Sequence, residues 1–330
     1  MKSSLFITVV LILASLGCRS QSPKEAQPLE PSIAYRELLH WEIPPSPEGQ
    51  SHGLQGIAVG DNTEVFVADA EGRRIVVCSS EGMILREIRP PKRPAGLLQM
   101  PMGLLYDGHG RLYVTDFEAD QVQVFTPDGK FLFRWGREGA GRGEFKAPVD
   151  IAQDQQGDLY VVEFYNHRVQ KFTREGKFLL TWGSEGDWDR RNSPDQPPDK
   201  MIYPAGIAVG PDGNVFVADS GRDRIKVFSP EGKFVRESGS KSPEPGKFTA
   251  LAGICFDAAG RLHVADMGAH RVQMFTRDAS FLAAWTLPDA ARQKINSPTK
   301  LRAHQNKFLF VSDVASNRIY KLQIEEGQGP

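Results

Sequence analysis

The residues best suited to chemistry are six carboxylates: Asp69, Asp116, Glu163, Asp219, Asp266 and Asp313. Each is followed five positions on by Arg74, Gln121, Arg168, Arg224, Arg271 or Arg318 in turn. A carboxylate facing a guanidinium can orient a substrate or hold a proton-transfer group at a shifted pKa. A catalytic role, however, would single out one copy, whereas six matched copies point to structural pairs that each tie a turn or link neighbouring units. The histidines are His40, His52, His109, His167, His263, His270 and His304. Only His167 and His270 share a position, four after the acid, and no two stand at the His-x3-His spacing of a metal site. They read as surface or turn residues. No phosphate-cradling glycine loop, Ser-His-Asp set or cysteine nucleophile motif is visible.

The acids belong to a repeat that is clearest from Pro204 to Gly239. Gly-Ile-Ala-Val, Val-Phe-Val-Ala-Asp, Arg-Ile-Lys-Val-Phe and Lys-Phe-Val-Arg are separated there by Pro-Asp-Gly-Asn, Ser-Gly-Arg-Asp and Pro-Glu-Gly. Acid-Gly turns between β-branched and aromatic runs signal hairpins, so the unit is a four-stranded antiparallel meander. One column of its first strand reads Gly56, Gly103, Asp150, Gly206, Gly253 and Lys300, at steps of 47, 47, 56, 47 and 47. The third turn carries Gly82, Gly129, Gly176 and Gly232, with Ala279 the departure. Six copies in register define one repeat architecture.

The middle strands are apolar at nearly every position, so both faces of each sheet are covered. Stacking six sheets around a ring achieves this in an all-β, six-bladed β-propeller over residues 33–330. The Pro-x-Gly-Ile, acid-x4-Arg and Asp-Gly-Lys-Phe signatures resemble the NHL-repeat family of six-bladed propellers, over about residues 33–325. An enzyme of similar repeat pattern is the peptidyl-hydroxyglycine amidating lyase, whose zinc histidines stand in a Pro-His-Gly position opening several first strands. Here that column reads Gln55, Met102, Val149, Ala205, Ala252 and Thr299. Tyr165 stands where the resemblance places a catalytic tyrosine, but the zinc ligands are missing. No metal and no cofactor are expected on that ground.

Register also assigns the N-terminal segment. Trp135, Trp182 and Trp285 share the fourth-strand column with Ile88 and Ser238, and counting back 47 from Ile88 reaches Trp41. The sixth repeat stops after its third strand. Residues around Trp41 should therefore supply the missing outer strand of the last blade, which hides two sheet edges and closes the ring. The loop from about 183 to 204 is nine residues longer than its counterparts (56 − 47), and its Pro, Asp and Arg content predicts an exposed excursion without an added strand or helix. Asp289–Lys294 could make one helical turn.

Residues 1–17 read as a secretory signal with an apolar run from Leu5 to Leu13. The Ala-Ser-Leu-Gly-Cys ending resembles a bacterial lipobox, with Ser15 in place of the commoner Leu, and implies lipidation of Cys18. Residues 18–32 then form a flexible tether. Cys78 and Cys255 occupy packing columns and read as buried thiols, not a disulfide framework. The formal net charge of −1 offers no attraction to nucleic acid.

These features predict an exported, cell-envelope protein, anchored to the membrane through lipid, that acts as a binding scaffold for a protein, peptide or glycan. The alternative is a metal-dependent propeller lyase or lactonase. Repeats fix the core, so the partner site should lie where the turns differ. Phe117, Phe164, Tyr165, Trp188, Arg190, Arg191 and Tyr203 form such a sector around blades two to four, with the aromatic and Arg composition of interface hot spots. Asp150, Lys300 and Arg302 put charge at the mouth of the central channel.

Overall fold

The computed structural model describes residues 33–46, 53–89, 97–191, 193, 196–286 and 297–326. The signal, Cys18, the tether, His52 and Asp289–Lys294 lie outside them. Six four-stranded antiparallel sheets are arranged as the blades of a propeller. The innermost strands are Leu54–Val59, Pro101–Tyr106, Pro148–Gln153, Pro204–Val209, Leu251–Phe256 and Pro298–His304. Second strands such as Val65–Asp69 and Val215–Asp219 are buried at every residue, as expected of sheets covered on both faces. Fourth strands such as Phe131–Trp135 alternate between half-buried and exposed, because they form the rim.

The strand Ile33–Glu42 completes the sixth sheet. It pairs antiparallel with Arg318–Glu326, with Trp41 opposite Ile319 and Tyr35 opposite Ile324. The ring therefore closes with a strand from the start of the chain.

Each innermost strand shifts register just after its opening residue, as between Pro204 and Gly206 or Pro298 and Lys300. At that bulge the strands of adjacent blades nearly touch. A Cβ at Gly56, Gly103, Gly206 or Gly253 would stand 2.3, 2.7, 2.5 or 2.5 Å from the next blade's backbone. Asp150 and Lys300 are the two members of this column with side chains, and they belong to opposite blades.

The repeated acids are structural. Asp69 bonds Arg74 at 2.7 Å, Glu163 bonds Arg168 at 2.5 Å and Asp266 bonds Arg271 at 3.1 Å. The acids also accept backbone N–H groups opening their own blade, as Asp116 does from Met100 at 2.9 Å and Asp313 from Ser297 at 2.8 Å. The arginines donate onward to carbonyls of the preceding inter-blade loop, as Arg271 does to Pro243, Glu244 and Lys247. The pairing is not uniform. Arg224 turns to Glu237, and Arg318 to Glu42 on the closing strand.

Two expectations need correction. The long loop does contain strand: Ser184–Glu185 pairs in parallel with Lys200–Met201. Single parallel bridges, Glu138 with Phe145 and Lys241 with Phe248, occupy the same place in two other inter-blade loops. The excursion is thus an insertion beyond a bridge common to these loops, and Met201 takes the buried place of Phe145 and Phe248. The histidines are not all superficial either. His263 and His167 are buried, the first because its column is otherwise Phe66, Tyr113, Tyr160, Phe216 and Phe310.

Candidate functional site

The turns after the second strands and the inter-blade loops open on one face. There, an aromatic series runs from blade two to the long excursion. Phe117 and Phe164 lie 6.3 Å apart, Phe164 stacks on Tyr203 at 4.9 Å, and Tyr165 stands edge-on to Phe164 at 5.2 Å. Trp188 meets Tyr203 at 5.8 Å, and the Arg191 guanidinium sits 4.6 Å over the Trp188 ring.

The structure divides these residues into two groups. Phe117 and Phe164 have no exposure, so they are core and cannot contact a partner directly. The sequence places these rings on the surface because the turn position varies between blades, through Ala70, Ser220, Met267 and Val314; here they fill the space beneath the shelf. Tyr165 and Tyr203 are half-buried, Trp188 is 37% exposed and Arg190 is exposed. Burial raises the Tyr165 phenol above its ordinary pKa, with Tyr203 adding to the shift. The Tyr165 hydroxyl has no hydrogen-bond partner among the described residues.

His167 is a further contributor. Its Nδ1 accepts the Tyr203 N–H at 3.0 Å, its ring lies 4.9 Å from the Tyr203 ring, and burial lowers its pKa. This contact fixes Tyr203, whose φ is +49°. The excursion is held from below: Arg222 donates to the carbonyls of Arg191 and Ser193, and Lys226 to that of Pro198 at 2.8 Å. Lys226 stands where other blades place Gln123, Gln170 or Gln273. Asp219 nearby is pushed up to about 7 by burial, against the pull of the Ile202 N–H, Lys226 and Arg222.

The charges of the channel pair across it. Lys300 Nζ lies 2.8 Å from Asp150 Oδ2 and donates to Ala205 O at 2.5 Å. Asp150 also accepts from the Ile151 N–H at 3.0 Å and the Ile207 N–H at 3.3 Å. Arg302, one turn of the pleat further along, donates to Leu104 O at 3.0 Å and to Ile57 O at 3.5 Å. The sixth blade is thereby tied to four others through the channel. Among the described residues, no three His, Cys, Asp or Glu side chains converge on a common point.

Comparison with known proteins places this geometry. Residues 97–185 match the model of a 6-bladed beta-propeller family, and residues 201–228 match the NHL repeat. No curated protein sequence matches the chain. Virginiamycin B lyase from Staphylococcus aureus is similar in structure, with TM-score 0.59, 16% identity, and coverage of 88% of this chain and 99% of that one. A gluconolactonase from Xanthomonas campestris has TM-score 0.64 and 16% identity, with 93% and 100% covered. A Bacteroides thetaiotaomicron protein of unknown function has TM-score 0.62 and 15% identity, with 89% and 76% covered. At such identities the likeness establishes the fold. The chain is a six-bladed β-propeller, and the stretch 201–228 within it matches the NHL repeat.

Proposed function

We propose that the protein is a binding scaffold of the cell envelope, exported and lipidated at Cys18, whose aromatic shelf takes a protein, peptide or glycan partner. The observation that supports this reading is the shelf's layered construction. Trp188, Tyr165 and Tyr203 present partly exposed rings, while Phe117, Phe164 and His167 hold them from beneath. Rings fixed before binding lose little entropy on contact, which suits an anchor for a partner. A photo-crosslinking residue at position 188 should capture a partner in the native membrane, and one at Lys130, on the opposite face, should not. Trp188→Ala and Tyr165→Ala should weaken capture about tenfold, or about 1.4 kcal/mol. Normal capture by both variants would move the site elsewhere.

A second reading, a propeller lyase or lactonase, is favoured by the fold shared with virginiamycin B lyase and the gluconolactonase. Against it stands the channel itself, where the Lys300 ammonium occupies the space between Asp150 and Ala205 O. Turnover of a streptogramin B or a gluconolactone by the purified protein would decide for the enzyme.

A further inference from the structure

Below the Lys300–Asp150 pair the channel holds a partly open cavity of about 120 Å³ whose charged lining is Asp150, Lys300 and Arg302. Two cations therefore face one carboxylate. Lys300 and Asp150 neutralise each other at 2.8 Å. The only bonds Arg302 makes within the described residues are to backbone carbonyls, those of Leu104 and Ile57. A guanidinium has five N–H donors in a planar fork, so several remain free. Carbonyl dipoles lower the potential around Arg302 but supply no countercharge. A half-buried guanidinium without a countercharge favours a counter-anion.

We propose that this cavity binds a small carboxylate, with Arg302 as its principal contact. The planar fork of arginine matches a carboxylate in a way that a spherical halide cannot. The volume is that of about four waters at roughly 30 Å³ each, enough for a ligand of a few heavy atoms and too small for a folded segment. Lys300 shuts the cavity on the side of the inter-blade loops. The lining continues to Gln153 and Phe256, at the far ends of their strands, so the ligand enters from the face opposite the aromatic shelf. The two sites are thus independent.

Thermal melts of the intact protein test this with acetate, with acetamide as the neutral isostere, and with sodium chloride at matched ionic strength. Acetate should raise Tm saturably, as a ligand of the folded state does, while acetamide and chloride leave it unchanged. Arg302→Met should abolish the acetate response, and Arg302→Lys, which keeps the charge but loses the fork, should weaken it at least tenfold. Should the Met variant fail to fold, broadening of the ¹³C-acetate resonance by wild-type protein, but not by the Lys variant at equal concentration, carries the same information. An acetate response equal to that of chloride, or one retained in full by the Arg302 variants, overturns the proposal.

Discussion

Trp41 lies over Gly82 so closely that a Cβ on that glycine would stand 2.8 Å from the indole. The contact spans the seam of the ring, because Trp41 is on the closing strand of blade six and Gly82 is in a turn of blade one. Within the ring, Trp135 meets Gly176 and Trp182 meets Gly232 in the same way. Ile88 keeps the glycine as well, with Gly129 at 3.0 Å by the same measure, and the rule relaxes where the column holds only a serine. Ser238 takes the tryptophan's place on blade four, and the corresponding turn of blade five carries Ala279, at φ +67°.

Gly82→Ala should destabilise the protein by about 2–4 kcal/mol, combining positive-φ strain (Gly82 is at +86°) with overpacking. In a Trp41→Ser background the same change should cost less, imitating Ser238 and Ala279. Denaturant unfolding of the double-mutant cycle measures the coupling. Strict additivity would mean that the two residues do not meet across the seam.

Removing one partner of the channel ion pair should be worse than removing both. Lys300→Met leaves the Asp150 carboxylate buried without its cation, at a cost of about 3–5 kcal/mol. Adding Asp150→Gly, the residue at this column in four blades, should restore most of the loss. A double variant no more stable than the single one would show that the pair stabilises the ring by packing alone.

His263 predicts a pH dependence. Asp257 Oδ2 lies 3.1 Å from its Nε2 and can only accept, so that nitrogen carries the proton and Nδ1 accepts the Tyr35 hydroxyl at 2.6 Å. Arg261 bonds the same Asp257 oxygen at 2.6 Å and opposes a second positive charge. Burial holds His263 below its ordinary pKa despite Asp257. The unfolded chain, with a histidine pKa of about 6.5, takes up the proton first, so stability is lost as pH falls below that value toward the lower folded pKa. The slope is at most about 1.4 kcal/mol per pH unit. Asp219, raised to about 7, acts with opposite sign, its stabilising contribution fading as pH rises toward 7. The comparison is therefore between wild type and His263→Phe, which share Asp219. The wild type should lose more stability on acidification; parallel curves would refute the assignment.

Cys18→Ser tests the anchor. Cells labelled with a palmitate analogue should incorporate label into the wild-type protein and none into the variant, which should leave the membrane fraction. Label retained by the serine variant, or never taken up by the wild type, would rule out lipidation at this cysteine.

The architecture was legible because a repeat states its register six times. The acid column, the turn glycines and the tryptophan column aligned the strands, and Trp41 fell into place by counting. Backbone pairing and two-sided burial are local consequences of that pattern, so the sequence determined blade number, strand order and the closing strand. Side-chain fates across the ring were not local. Lys300 and Asp150 are far apart in the chain, and only the diameter of the closed ring decides that an ammonium from one blade reaches a carboxylate on the opposite one. The burial of His263 follows from its aromatic column, but its hydrogen bond to Tyr35 exists only because the closing strand meets the fifth blade. Phe117 and Phe164 occupy variable turns, as a partner site would, yet the neighbouring turn and Tyr203 cover them completely. Burial at such positions depends on what the adjacent blade places above the ring, which the linear pattern of one repeat does not contain.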